Sequence, residues 1–218
     1  MPNWCSTTYR FHGNEKDIKE LFDFAEHAVS TEREDNATTS GFSTYWLGNL
    51  IIDLGLGDNI DNNKGDEYRC RGWITDIYRD LDPTEGTIVT ETAWAEMPEM
   101  WNLIIREKHL DSVSFSYMAE EPGMGYYVKY NAPGYNDFTE KIFIDICPPT
   151  DGDFRPYEDL GGYYDNEEEA ITNLNEFFEK DCVELDDFDE FIHKHNKEHE
   201  DNDGAWIGVY EIKEIKDK

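Results

Sequence analysis

The chain has 218 residues, with 50 acidic against 19 basic side chains and a formal net charge of −31. Its 14% aromatic content excludes wholesale disorder, because disordered acidic chains are poor in aromatics. The charge also argues against direct binding to DNA, RNA or anionic lipid, which runs on Lys and Arg, and points to a basic protein surface as partner. No apolar run approaches the ~20 residues of a membrane span, and Met1-Pro2-Asn3-Trp4-Cys5 lacks the basic and apolar regions of a signal peptide. The expected location is therefore cytoplasmic, with Cys5, Cys70, Cys147 and Cys182 as reduced and mostly buried thiols.

Alternation of Thr7, Tyr9 and Phe11 predicts a first strand over Ser6–Phe11. A helix follows from Glu15 to about Val29, with Asn14 as N-cap and Ile18, Leu21, Phe22, Ala25 and Val29 on one face. Glycines 48, 55 and 57 break the apolar run Leu47–Leu56, and Asp58–Asp66 reads as a mobile Asn/Asp/Gly loop. Tyr68–Tyr78 and Thr87–Trp94 read as two strands around a turn. Pro98 opens a second helix reaching about His109, with Met100, Trp101, Ile104 and Ile105 on its apolar face. Strands then follow over Ser112–Glu120, Tyr126–Tyr130 and Lys141–Cys147.

The order β-α-β-β-α-β is that of the ferredoxin-like split motif. The expected fold is therefore α+β: a ferredoxin-like antiparallel sheet with helices on one face, extra strands and an acidic helical insertion. From residue 151 the composition changes. Residues 151–203 hold 20 acids and 4 basic residues, about half the net charge on a quarter of the chain. Ala170, Ile171, Leu174, Phe177 and Phe178 form one apolar helix stripe, and Leu185, Phe188, Phe191 and Ile192 form another. Residues 1–150 are thus expected to be the ferredoxin-like domain and 151–203 the helical insertion. Residues 204–218 would return the chain to the sheet as a strand.

Chemical motifs are sparse. With this many acids, carboxylate pairs occur at every spacing by accident, so no catalytic residue is assigned. His195 and His199 share a helix face at zinc-site spacing, but Asn196 stands where an HExxH motif needs Glu, and a helix C-terminus accounts for the positive charge there. No metal or cofactor is assigned. Gly55-Leu56-Gly57 lacks the third glycine of a dinucleotide loop. His12, His27 and His109 read as surface or core-edge residues. Trp4, Trp73 and Trp94 read as core rings, with an aromatic ligand subsite as the alternative.

Several stretches resemble one family. Met1-Pro2-Asn3-Trp4-Cys5-Ser6 and a strand ending in Gly13 resemble its opening. Arg71-Gly72-Trp73 with Asp76 resembles its central NWG-x-[KR]-W-D region. Thr92-Ala93-Trp94 with Pro98, followed by Phe115-Ser116-Tyr117 and Glu120-Glu121-Pro122-Gly123, resembles its F-x-T-A-W-S-P-P and Y-x-E-P-G half. Over roughly residues 1–130 the chain thus resembles the YubB/Api-type family of phage- and plasmid-borne proteins with a ferredoxin-like domain. The resemblance implies that fold and carriage on a mobile element, and it carries over no catalytic motif.

Together these features suggest a non-enzymatic inhibitor of a host nucleic-acid-binding defence protein, such as a restriction or CRISPR nuclease. The expected contact residues are Glu167, Glu168, Glu169, Glu176, Glu179, Asp186, Asp187, Asp189 and Glu190. The expected partner is the basic surface of that protein. Two alternatives are a small-ligand or nucleotide-binding module using the aromatic sheet face, and a metal-dependent hydrolase.

Overall fold

In Trp4–His12 (β1), Cys5, Thr7, Tyr9 and Phe11 point to one side and are all buried, as period-two alternation requires. Asn14 then caps Glu15–Ser30 (α1): its side-chain oxygen accepts from the Asp17 amide at 2.8 Å. The other early elements are Gly48–Asp53 (α2), Gly57–Asp61 (α3), Gly72–Arg79 (β2), Glu85–Ala93 (β3), Pro98–Glu107 (α4), Ser114–Glu121 (β4) and Tyr126–Tyr130 (β5). The computed structural model describes residues 3–33, 44–61, 64–147, 157–198 and 206–216.

The fold is α+β, and the chain divides into two units, residues 1–138 and 139–218. In the first unit the strands lie side by side in the order β2-β3-β1-β4-β5, and every neighbouring pair is antiparallel. Register places Tyr9 opposite Ile88 and Tyr117, and Phe11 opposite Gly86 and Phe115, so these residues share a face. Both long helices cover that face. The Phe11 ring lies 6.0 Å from Phe22 of α1 and 5.2 Å from Trp101 of α4. Gly86 is required beneath Phe22, because a Cβ there would come within 2.3 Å of the ring. The Tyr9 hydroxyl accepts from the Met97 amide at 2.9 Å and fixes where α4 begins.

The stretch read as a broken apolar run and a mobile loop holds α2 and α3, and Leu47, Leu50 and Ile51 are fully buried. Propensity is weak there, and tertiary burial decides the conformation. The tryptophan expectation is corrected too. Trp46 and Trp101 are the core rings, whereas Trp4 is 40% and Trp94 45% exposed.

The second unit has its own sheet, order β7-β6-β8, built from Ile142–Cys147 (β6), Gly162–Tyr164 (β7) and Trp206–Glu211 (β8), all antiparallel. β6, expected to extend the first sheet, is the central strand of this one. Glu167–Phe178 (α5) and Asp189–Glu198 (α6) complete the unit, with a 3-10 turn at Leu185–Phe188. The division after Phe138 falls ahead of the compositional change at residue 151, and the expected boundary near 150 lies outside the described residues.

Candidate functional site

The acidic helices are anchored by apolar residues at their predicted spacing. Ala170, Leu174 and Phe188 are fully buried with Ile144, Leu160 and Ile207. Phe177, Phe178 and Phe191 are half-buried at the edge, with Phe178 6.3 Å from Phe188 and 6.2 Å from Phe191. Asparagines tie the helices down by clasping single peptide units. Asn175 donates to the Cys182 carbonyl and accepts from its amide at 2.9 and 2.8 Å. Asn196 does the same to Ile207 of β8, at 2.8 and 2.9 Å. Each clasp satisfies one buried backbone donor and one acceptor.

With the apolar faces so used, all nine predicted carboxylates are exposed, and none forms an ion pair among the described residues. They are not equivalent. Asn166 caps α5 by accepting from Glu169 N at 2.9 Å, which places Glu167, Glu168 and Glu169 in the first turn, where the helix dipole favours negative charge. Glu179 is the left-handed C-cap of the same helix, φ 53°, a position that usually takes glycine. Asp187 accepts from the Val183 and Glu184 amides, each at 3.1 Å, so its role is to hold the turn before α6. Glu167, Asp186 and Asp189 converge with Glu184 and Glu211 around a hollow of about 440 Å³ floored by Ile142, Leu185, Ile192 and Val209. Glu176 stands apart beside Asp159 and Phe177.

The histidine pair is only half visible. His195 is half-buried with its ring 5.8 Å from both Tyr157 and Phe177, a packing position, and His199 lies outside the described residues. Among the described residues no three His, Cys, Asp or Glu side chains are placed to hold a metal ion.

One polar constellation in the first unit has no sequence signal. His12, read as a surface or core-edge residue, is only 2% exposed. Its Nε2 lies 2.8 Å from Asp137, its Nδ1 3.5 Å from Glu85, and Tyr135 stacks on its ring at 3.8 Å. The Ser116 hydroxyl also donates to Asp137 and accepts from the Ala132 amide. The carboxylate thus stands between serine and histidine, and Ser116 is wholly buried, so the group staples segment 131–138 to the sheet. The partners are 125 residues apart in sequence, beyond the reach of any local pattern.

Burial pushes the Cys5 and Cys70 thiols up to about 12, which keeps both protonated and unreactive. Cys147 is exposed and Cys182 half-buried, so burial of the four is less complete than expected. No described helix is long and apolar enough to cross a membrane. Comparison with family models, curated proteins and solved structures found no match to this chain.

Proposed function

We propose that the protein is a non-enzymatic inhibitor that occupies the basic, nucleic-acid-receiving surface of a host defence protein, such as a restriction or CRISPR nuclease. The observation that carries the reading is the set of nine exposed carboxylates without an ion pair among the described residues, carried by α5 and its C-cap, the 3-10 turn and α6, whose apolar side chains pack on the core of the second unit. Duplex DNA carries about one charge per 1.7 Å of axis. Helices rising about 1.5 Å per residue can offer a comparable line of carboxylates to a groove shaped for phosphates. Holding like charges this close costs stability, a cost that a basic partner would offset.

The finer fold reading belongs with this one. The first unit is ferredoxin-like, a reading supported by the neighbour order β4-β1-β3-β2, the antiparallel pairing and two helices on one face. Resemblance to the YubB/Api-type family adds carriage on a phage or plasmid and action in the host cytoplasm.

The test is charge reversal of Glu168, Glu176, Asp189 and Glu190 to Lys, leaving Asp187 to hold its turn. Reversal in a first helical turn costs about 0.3–1 kcal/mol per site against the dipole, partly offset by relief of repulsion, so the fold should persist. Titrated against a panel of restriction and CRISPR nucleases, the natural chain should block nucleic-acid binding by at least one stoichiometrically. The reversed chain should lose that effect by well over tenfold. Equal inhibition by both chains would refute the reading, as would inhibition of none.

A further inference from the structure

A hollow of about 530 Å³ opens in the first unit at the junction of three elements. Asp66 comes from the one-turn helix Asp66–Tyr68, Arg69 is its C-cap, and Arg71 is the residue before β2. Trp94, Glu96 and Met97 come from the β3–α4 connection. Two features of its lining are unusual for this chain. Every other described arginine sits against a carboxylate: Arg10 with Glu85, Arg33 with Asp53, Arg69 with Asp66, Arg79 with Asp23 and Glu26, and Arg106 with Glu107. Arg71 is exposed and forms no ion pair among the described residues, although acids outnumber cations 50 to 19. Beside it, Trp94 takes a left-handed backbone, φ 79°, which a bulky side chain rarely adopts. Its amide N–H donates to the Asn3 carbonyl at 3.0 Å and helps hold it there with a large ring exposed. Strain of this kind collects where a side chain is being presented.

The chemistry of the lining narrows the ligand. Arg71 supplies a planar pair of donors, Glu96 supplies acceptors, and Trp94 supplies a flat face. The Tyr126 hydroxyl donates to one oxygen of Glu96 at 2.7 Å and leaves the other to accept from a ligand. Asp66 and Arg69 neutralise each other at 2.9 Å. Glu99 adds a negative charge at the rim, and the whole chain is strongly negative, so a ligand held by its phosphate is disfavoured. What fits is a neutral planar ring with acceptors on one edge and N–H donors on another. Among nucleobases that is guanine, whose O6 and N7 match an arginine fork and whose N1–H and N2–H match a carboxylate. We propose that this hollow binds an unstacked guanine base, presented as a nucleoside, with Trp94 stacked on the ring, Arg71 on O6 and N7, and Glu96 on the N–H edge. The site is independent of the acidic face, and the charge-reversed chain described above should bind the same ligand unchanged.

Calorimetric titration of the intact chain tests it with guanosine, adenosine and guanosine monophosphate. Guanosine should bind saturably at one site, adenosine at least tenfold more weakly, and the monophosphate no more tightly than guanosine. Arg71→Lys, which keeps the charge but loses the fork, should weaken guanosine at least tenfold. Glu96→Gln keeps an acceptor for Tyr126 and should shrink the preference over adenosine. Trp94→Gly should abolish binding while leaving the thermal midpoint unchanged or higher, because glycine relaxes the left-handed backbone; a ring that served only packing would lower the midpoint when removed. No saturable guanosine binding up to about 1 mM would overturn the proposal, as would equal affinity for adenosine, tenfold tighter monophosphate binding, or full binding by Trp94→Gly.

Discussion

Asp17 shows how much a single side chain can settle. Its carboxylate accepts from the Ser112 hydroxyl at 2.7 Å and amide at 3.3 Å, and from the Asn14 side chain at 3.1 Å. It thereby joins the start of α1 to the turn before β4. Those donors, the Ser112 hydroxyl first, hold it below the ordinary aspartate value of 3.8. Because its folded value is depressed, its stabilisation is whole above 3.8 and is lost as pH falls through the lower, folded value. Resistance of the natural chain to denaturant should therefore fall in that acid window. Asp17→Asn should be less stable at neutral pH and show a shallower acid slope. An unchanged slope would mean that other carboxylates carry the acid response, with Asp23, held down by Lys19 and Arg79, the next candidate.

At the scale of elements, apolar spacing was the reliable signal. Asn14 capping, Pro98 at the first turn of α4 and the two phenylalanine stripes appear where local pattern placed them, and the α1 stripe does so through Ala25, with Ala28 rather than Val29 as its last buried residue. The stripes make a quantitative demand. Phe188 is fully buried at the junction of α5, α6 and the second sheet, so Phe188→Ala should cost about 3–5 kcal/mol. Exposed Glu190→Ala should change stability by less than about 0.5 kcal/mol. Circular dichroism during denaturation would separate them, and equal effects would show that Phe188 is not a keystone of the unit. What the sequence hid was non-local. α2 is short and lacks a side-chain cap, and burial of Leu47, Leu50 and Ile51 makes it a helix. The sheet that β6 joins depends on β7, only three residues long, and on β8, which reads as a strand without showing which strand it pairs with. His12 and Asp137, or Arg71 and Trp94, meet only because strands bring distant segments together. The nine carboxylates were legible as a set because exposure on an amphipathic helix follows from the position of its apolar stripe. The capping role of Asp187 was not, since it depends on the turn of the backbone at Val183 and Glu184.

For the whole molecule, the net charge of −31 makes salt a probe that acts with opposite signs on stability and on function. Unpaired carboxylates repel across the surface, and the Debye length shrinks from about 10 Å at 0.1 M to about 3 Å at 1 M. Screening should therefore stabilise the folded chain, and each ~1 kcal/mol relieved appears as about 2–4 °C in midpoint at this size. Attraction to a basic groove is screened by the same ions, so partner affinity should fall over the same range. The four-lysine variant should show a smaller rise in midpoint with salt, because the reversed positions no longer contribute repulsion. Thermal scans from 20 mM to 1 M sodium chloride, run beside inhibition assays at the same concentrations, measure both arms. A midpoint that rises while inhibition falls fits an acidic surface held together at a cost for a basic partner. A flat midpoint would mean that the carboxylates are spaced widely enough not to repel. The cost that a partner was invoked to offset would then be absent, and the mimicry argument would lose its energetic basis.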